Sequence, residues 1–468
     1  VENAVPLGSG DAPAARSRPQ RLDLFSATIL VVANMVGTGI FTTSGFIIQE
    51  LGNSWAMLGC WALGGLFALT GALCYGELGA RFPESGGEYV FLRESFGELP
   101  GFLSGWVSLL VGFSAPIAAA AMAFAAYLLA GWPGSRELAL AWQIHGVTVL
   151  TLSPVTLLAS GVIVAFALVH SHSLSLGSRV QNALTLFKII LILFFVILGL
   201  GEGRGTLAHF GPAPSLGVFF SGQFATSLVF ITFAYSGWNA AAYLGGEISR
   251  PTRNIPLALF GGTLLVMVLY LLLNLTFIYG LSATEMSGIL AVGEKAAQSL
   301  FGVGVSRVFS GAISLCLLSL VSAMMMTGPR VYRAMAQDGL FFPALSRLQG
   351  QGASPGNAIR LQAGLALVMV LTASFENLLI FIGFTLSLFS LMAVAGLMVV
   401  KKRKPAPKLP YRTWGYPWTA IFFILGNLWI ILFAIINRPA VSLTGLAAIL
   451  SGALVYYFFQ RRAKRIDV

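Results

Sequence analysis

The 468-residue chain is 57% hydrophobic and 10% charged, with a mean hydropathy of +0.83. Soluble domains carry about 25% charged residues, so the composition excludes a soluble globular protein and indicates an all-α polytopic membrane protein. The net charge of +11 raises nucleic acid or anionic lipid as partners, but its placement along the chain has a simpler meaning: it encodes topology.

In chain order, residues 1–22 are polar and rich in Pro, Gly, Ser and Arg; they read as a disordered cytoplasmic tail without a cleavable signal peptide. Apolar segments then predict twelve spans, at 24–50, 55–78, 98–130, 153–170, 178–201, 217–247, 256–280, 303–336, 357–375, 377–400, 417–437 and 440–460. With the N-terminus in the cytoplasm, 22 of the 28 Lys and Arg fall on the cytoplasmic side, five fall outside (Arg136, Arg204, Lys295, Arg307, Arg438), and Lys188 lies inside a span. Both termini are then cytoplasmic. The predicted organisation is the tail 1–22, a five-helix unit at 23–201, a second at 217–400, a basic cytoplasmic linker at 401–416, two further helices at 417–460 and a cytoplasmic tail at 461–468. Cys60, Cys74 and Cys316 sit inside apolar segments and read as small core residues.

The first span is interrupted in Asn34-Met35-Val36-Gly37-Thr38-Gly39-Ile40. Glycine loosens a helix, and loosened backbone at membrane depth survives only where it is buried in protein or lines a cavity. The segment is therefore a candidate ligand site; a close helix–helix contact through small residues is the competing reading. The sixth span contains a second weak point, Phe233-Ala234-Tyr235-Ser236-Gly237-Trp238-Asn239. Breaks five spans apart are the expected mark of an inverted repeat with substrate bound between them. Thr42, Thr43 and Ser44 either line the same cavity or bond back to the helix.

Lys188 lies about ten residues into the fifth span, roughly 15 Å from its end. A lysine at that depth must face the interior and find acceptors. With no acidic residue in the middle of any span, carbonyls of the first break and the hydroxyls of Ser319 or Ser322 are the expected partners.

The tracts Leu73-Cys74-Tyr75-Gly76-Glu77-Leu78-Gly79 and Ser85-Gly86-Gly87-Glu88-Tyr89 resemble the loop after span 2 of amino acid–polyamine–organocation transporters. The 233–239 tract, Pro251-Thr252-Arg253-Asn254-Ile255-Pro256, and Arg179-Val180-Gln181-Asn182-Ala183 with Lys188 resemble the L-type amino-acid transporter branch of that superfamily, over about residues 22–460. The resemblance implies a LeuT-like fold: twelve helices, ten of them in a five-plus-five inverted repeat and two peripheral. It implies alternating-access amino-acid transport, Phe233 as an aromatic gate, a polar contact from Asn239, and a span 5 lysine standing where a sodium ion would bridge spans 1 and 8.

On physical grounds the substrate carboxylate suits the amides near Thr38, Gly39 and Ile40. Its ammonium suits carbonyls near Asn34, Met35, Phe233 and Ala234; Gly37 and Ser236 complete the candidate set. Neutral L-amino acids fit best, since Lys188 is occupied and mid-span carboxylates are lacking. A sodium-independent exchanger is the leading expectation, a proton-coupled symporter the alternative, and a channel a remote one, since a continuous polar pore is missing. An enzyme is not expected: His145, His170, His172 and His209 sit at loops or span ends as solvated residues, without metal-ligand spacing, and neither metal nor cofactor is called for. Glu77, Arg81 and Glu247 form either an inward latch or ordinary solvated helix ends. The family's light chains join a heavy chain through a cysteine between spans 3 and 4; 131–152 has none, so a stand-alone protein in the inner (plasma) membrane is expected.

Overall fold

The computed structural model describes residues 21–129, 138, 140–144, 147–289, 291–349, 354–372, 375–406, 409–437 and 439–466. The chain opens with α1 (Leu24–Met35) and α2 (Thr38–Leu51), one membrane segment split at Val36-Gly37. Asp23 caps α1 through Ser26 N–H at 2.8 Å. α3 (Ser54–Arg81) returns, and a glycine turn leads into α4 (Glu88–Phe96). The third segment joins α5 (Glu98–Val107), a π-helical stretch (Ser108–Ser114) and α6 (Ala115–Leu129).

A hairpin of β1 (Leu140–Ile144) and β2 (Val147–Leu152) precedes α7 (Pro154–His172) and α8 (Leu174–Gly201). The second half begins with α9 (Gly222–Ala234), turns through 235–239, and continues as the short α10 (Ala240–Tyr243). α11 (Pro251–Gly280), α12 (Ala283–Met286), α13 (Val292–Phe301) and α14 (Val303–Gln337) follow. α15 (Gly356–Thr372), α16 (Phe375–Arg403), α17 (Trp418–Asn437) and α18 (Pro439–Ile466) complete the chain.

Among the described residues ten helices are long and apolar enough to cross a membrane, and Gly222–Ala234 and Gly356–Thr372 are shorter apolar helices. The chain is thus a multi-pass membrane protein. The first segment, the third and α14 are largely buried, whereas most of the hydropathic window in α7, α8, α17 and α18 faces outward. The broken segment therefore sits at the centre, packed along α11 and flanked by α8 and α14.

Several boundaries differ from expectation. Leu22 is buried and hydrogen-bonds Glu247 O through its N–H (2.8 Å), so order begins before the first span. Lys401–Arg403 extend α16 rather than opening a linker, and α18 continues through residue 466. The hairpin was not foreseen: its alternation is too short to separate from a loop. Residues 1–20, His145 and Arg136 lie outside the described residues. All three cysteines are free and buried.

Candidate substrate site

The two breaks meet backbone to backbone. A Cβ on Gly39 would stand 2.6 Å from Ala234 Cα, and one on Gly237 2.6 Å from Asn34 O. Gly237 also has φ +93°, a left-handed conformation that favours glycine. The small residues serve close packing and helix interruption together, so the two sequence readings were not exclusive.

Tyr270 of α11 ties the breaks. Its hydroxyl lies 2.7 Å from Met35 O and 3.0 Å from Ala234 O, and Gly37 hydrogen-bonds to it through its backbone. Trp61, Tyr235 and Tyr270 pack edge to face or tilted around this point, with centroids 5.0–5.8 Å apart. Tyr235 OH donates to Trp61 O at 3.1 Å. The carbonyls of Met35 and Ala234 thus share the one Tyr270 hydroxyl proton, and that of Phe233 accepts from Ser236 N–H at 3.0 Å.

Lys188 is fully buried. Its ammonium donates to Ala33 O (3.3 Å) and to Val36 O at the end of α1. Ser319 Oγ is buried with no partner among the described residues. Ser322 is engaged elsewhere: its Oγ sits 2.9 Å from His170 Nε2. His170 is therefore a buried link between α7 and α14, not a solvated turn residue.

Asn34, Met35, Gly37, Thr38, Gly39, Phe233, Ala234 and Ser236 line one cavity of about 310 Å³, closed by Pro116, Ala119, Leu320 and Met324. α2 starts without a capping side chain, so its first-turn amides remain for a ligand. Ile40 is buried outside this lining. Thr42 and Thr43 bond back to Thr38 O and Gly39 O (2.9 and 2.7 Å), and Ser44 donates to Asn274 at 2.6 Å.

Asn239 belongs to a second, larger cavity of about 790 Å³, which shares Asn34, Ser236 and Met324 with the first. Its Nδ2 donates to Glu88 Oε1 (2.9 Å) and to Tyr243 OH (3.1 Å). Glu88, placed by sequence in a solvated connector, is 3% exposed and lines this cavity. Sequence reasoning missed Glu88 and Tyr270. The only signal for Glu88 was its glycine-rich turn, which folds the carboxyl inward; Tyr270 stands in an unbroken apolar run.

The suggested latch resolves into separate pairs. Arg330, 2% exposed, makes a bidentate pair with Glu247 at 3.0 Å and 3.0 Å. Glu77 accepts from Arg81 (2.9 Å), Lys401 (2.9 Å) and Thr413 N–H (2.8 Å). Arg93 pairs with Asp338, which also accepts from Tyr89.

Comparison with known proteins decides the family. The amino acid permease family matches residues 22–459. The chain belongs to it. The permease is 30% identical to the serine/threonine exchanger SteT of Bacillus subtilis (strain 168), over 95% of this chain and 97% of that one. It is 27% identical to the large neutral amino acids transporter small subunit 2 of Mus musculus, over 95% of this chain and 82% of the relative. It is 28% identical to the mouse b(0,+)-type amino acid transporter 1, over 95% and 88%. The permease is thus an L-type-like member of the amino acid–polyamine–organocation superfamily, with that superfamily's LeuT-like fold. It is an amino-acid transporter, not an enzyme.

Proposed function

We propose that this permease is a sodium-independent exchanger of neutral L-amino acids, working by alternating access between two inverted five-helix repeats at 23–201 and 217–400 within a twelve-span chain. The observation that carries this reading is the Lys188 ammonium on the carbonyls of Ala33 and Val36. It does at the first break what a bound cation would otherwise do: it satisfies the carbonyls left over where α1 ends.

In this reading the substrate carboxylate takes the free amides of Thr38, Gly39 and Ile40 at the positive end of α2. The substrate ammonium takes the remaining acceptor capacity of Asn34 and Phe233. Phe233 covers the ligand, and Ser236 meets its side chain. Asn239 acts one shell out, through Glu88, rather than on the ligand. No charged side chain stands among the described residues that line the cavity beside the breaks, which favours a neutral substrate. Both termini are cytoplasmic, the membrane is the plasma membrane, and no disulfide-linked heavy chain is needed. The Glu247–Arg330 and Asp338–Arg93 pairs hold the cytoplasmic face shut.

Proteoliposome counterflow with choline in place of sodium tests the proposal. Uptake into an amino-acid-loaded lumen should persist without sodium and vanish when the lumen is empty. Loss of uptake in choline overturns sodium independence. Uptake into empty vesicles driven by a pH gradient replaces exchange with proton symport.

A further inference from the structure

Among the described residues two carboxylates are buried, Glu77 and Glu88, and Glu88 is the one without an ion-paired cation. Its Oε1 accepts from Tyr75 OH (2.6 Å), Asn239 Nδ2 (2.9 Å) and Ser390 Oγ (3.3 Å), and Tyr243 hydrogen-bonds to it as well. All of these donors are neutral. Among the described residues no Lys or Arg is ion-paired with it, whereas Glu77, Glu84, Glu94, Glu247 and Asp338 each have a cation.

Among the described residues the surroundings hold no hidden counter-ion. α3 presents Tyr75, α10 presents Tyr243, and Tyr332 of α14 stands behind Tyr243. α16 presents Ser390, and its Lys401 and nearby Lys404 are committed to Glu77 and Glu94. α5 presents Glu98, which accepts from Tyr456 at 3.3 Å. On α4 itself Arg93 is held by Asp338, Glu84 and Glu94.

We propose that Glu88 is a proton-binding site that locks the second break: neutral while Asn239 is seated on it, and releasing its proton to water as Asn239 withdraws and the cavity floor opens. A buried carboxylate without an ion partner is costly, so burial favours the protonated form. Desolvation is the largest influence on it and raises its affinity for protons above the ordinary carboxylate value, against the hydrogen bonds that lower it. The sign follows. The closed form binds the proton more tightly than the open one, so acid favours the closed form and slows exchange, and alkali frees it.

The test measures exchange in proteoliposomes with both sides clamped at the same pH, for wild type and Glu88→Gln. Wild-type exchange should fall about fivefold on going from roughly pH 7.5 to pH 5. Glu88→Gln should be flat, at the acid-limit rate. An unchanged pH profile in Glu88→Gln overturns the assignment.

The exchange readout rests on the function proposed above, so a second arm avoids transport. In an infrared pH titration of the purified protein, wild type should lose a protonated-carboxyl C=O stretch that Glu88→Gln lacks. Tyr75→Phe, which removes a donor to the carboxylate, should move that midpoint to higher pH. No such band in wild type at acid pH, or a midpoint unmoved by Tyr75→Phe, overturns the proton site even if exchange itself fails.

Discussion

The two breaks meet backbone to backbone, yet they are held differently. The first is abrupt: α1 ends at Met35, α2 begins at Thr38, and a buried ammonium is bonded to the carbonyls of Ala33 and Val36. The second spreads over 235–239 and is held by neutral groups, through Tyr235 on Trp61 and Asn239 on Glu88. A buried ammonium cannot leave its carbonyls without a large desolvation cost, whereas hydrogen bonds between neutral groups can be exchanged for water at little net cost. On the proposal for Glu88, the first break is the fixed partner and the second the movable one.

Four substitutions break or sharpen that contrast, in order of expected effect. Lys188→Met should abolish exchange, a loss of at least about 100-fold, because it strands two buried carbonyls at about 1–3 kcal/mol each; counterflow and thermal unfolding read it. Wild-type-like exchange would remove the fixed joint. Glu247→Ala should destabilise the protein by about 3 kcal/mol by leaving Arg330 buried and unpaired, visible as a lower Tm in detergent. Tyr270→Phe should weaken substrate binding by about tenfold, one hydrogen bond's worth, by loosening both breaks together; scintillation proximity binding measures it. Ser322→Ala should change exchange by less than about threefold, since its partner is His170 rather than Lys188 and one neutral hydrogen bond is lost. A Ser322→Ala loss approaching that of Lys188→Met would return Ser322 to the lysine's shell.

Much of this was legible in the chain. Hydropathy gave the apolar helices, because twenty consecutive apolar residues have few other uses. The interruptions at Gly37 and Gly237 mark where helices stop, and the depth of Lys188 requires buried acceptors, for which the sequence offers the first break's carbonyls and the hydroxyls of Ser319 and Ser322. What stayed hidden depended on direction rather than composition. Glu88 follows two glycines that read as a solvated turn, but positive φ at Gly86 and Gly87 (133° and 54°) redirects the chain so that the carboxyl points inward. Tyr270 and Trp61 are aromatic residues in apolar helices, where sequence does not say which face meets protein and which meets lipid. Ser322 and Ser319 lie three residues apart on α14, and only packing against α7 assigned one of them to His170.

The backbone contact between the breaks governs how the site tolerates change. Relieving a Cβ at Gly39 by trimming Ala234 to glycine would remove the Ala234 Cβ at 2.8 Å but leave its Cα at 2.6 Å, so the pair has no compensating partner substitution. A mutational tolerance map of this permease would then carry two kinds of signal in one site. Intolerance at Gly39 and Gly237 reports the distance between two main chains, whatever the ligand. Intolerance at Phe233 and Ser236, which line the cavity, would under the proposed site report the ligand itself, and its pattern would shift from one amino acid to the next.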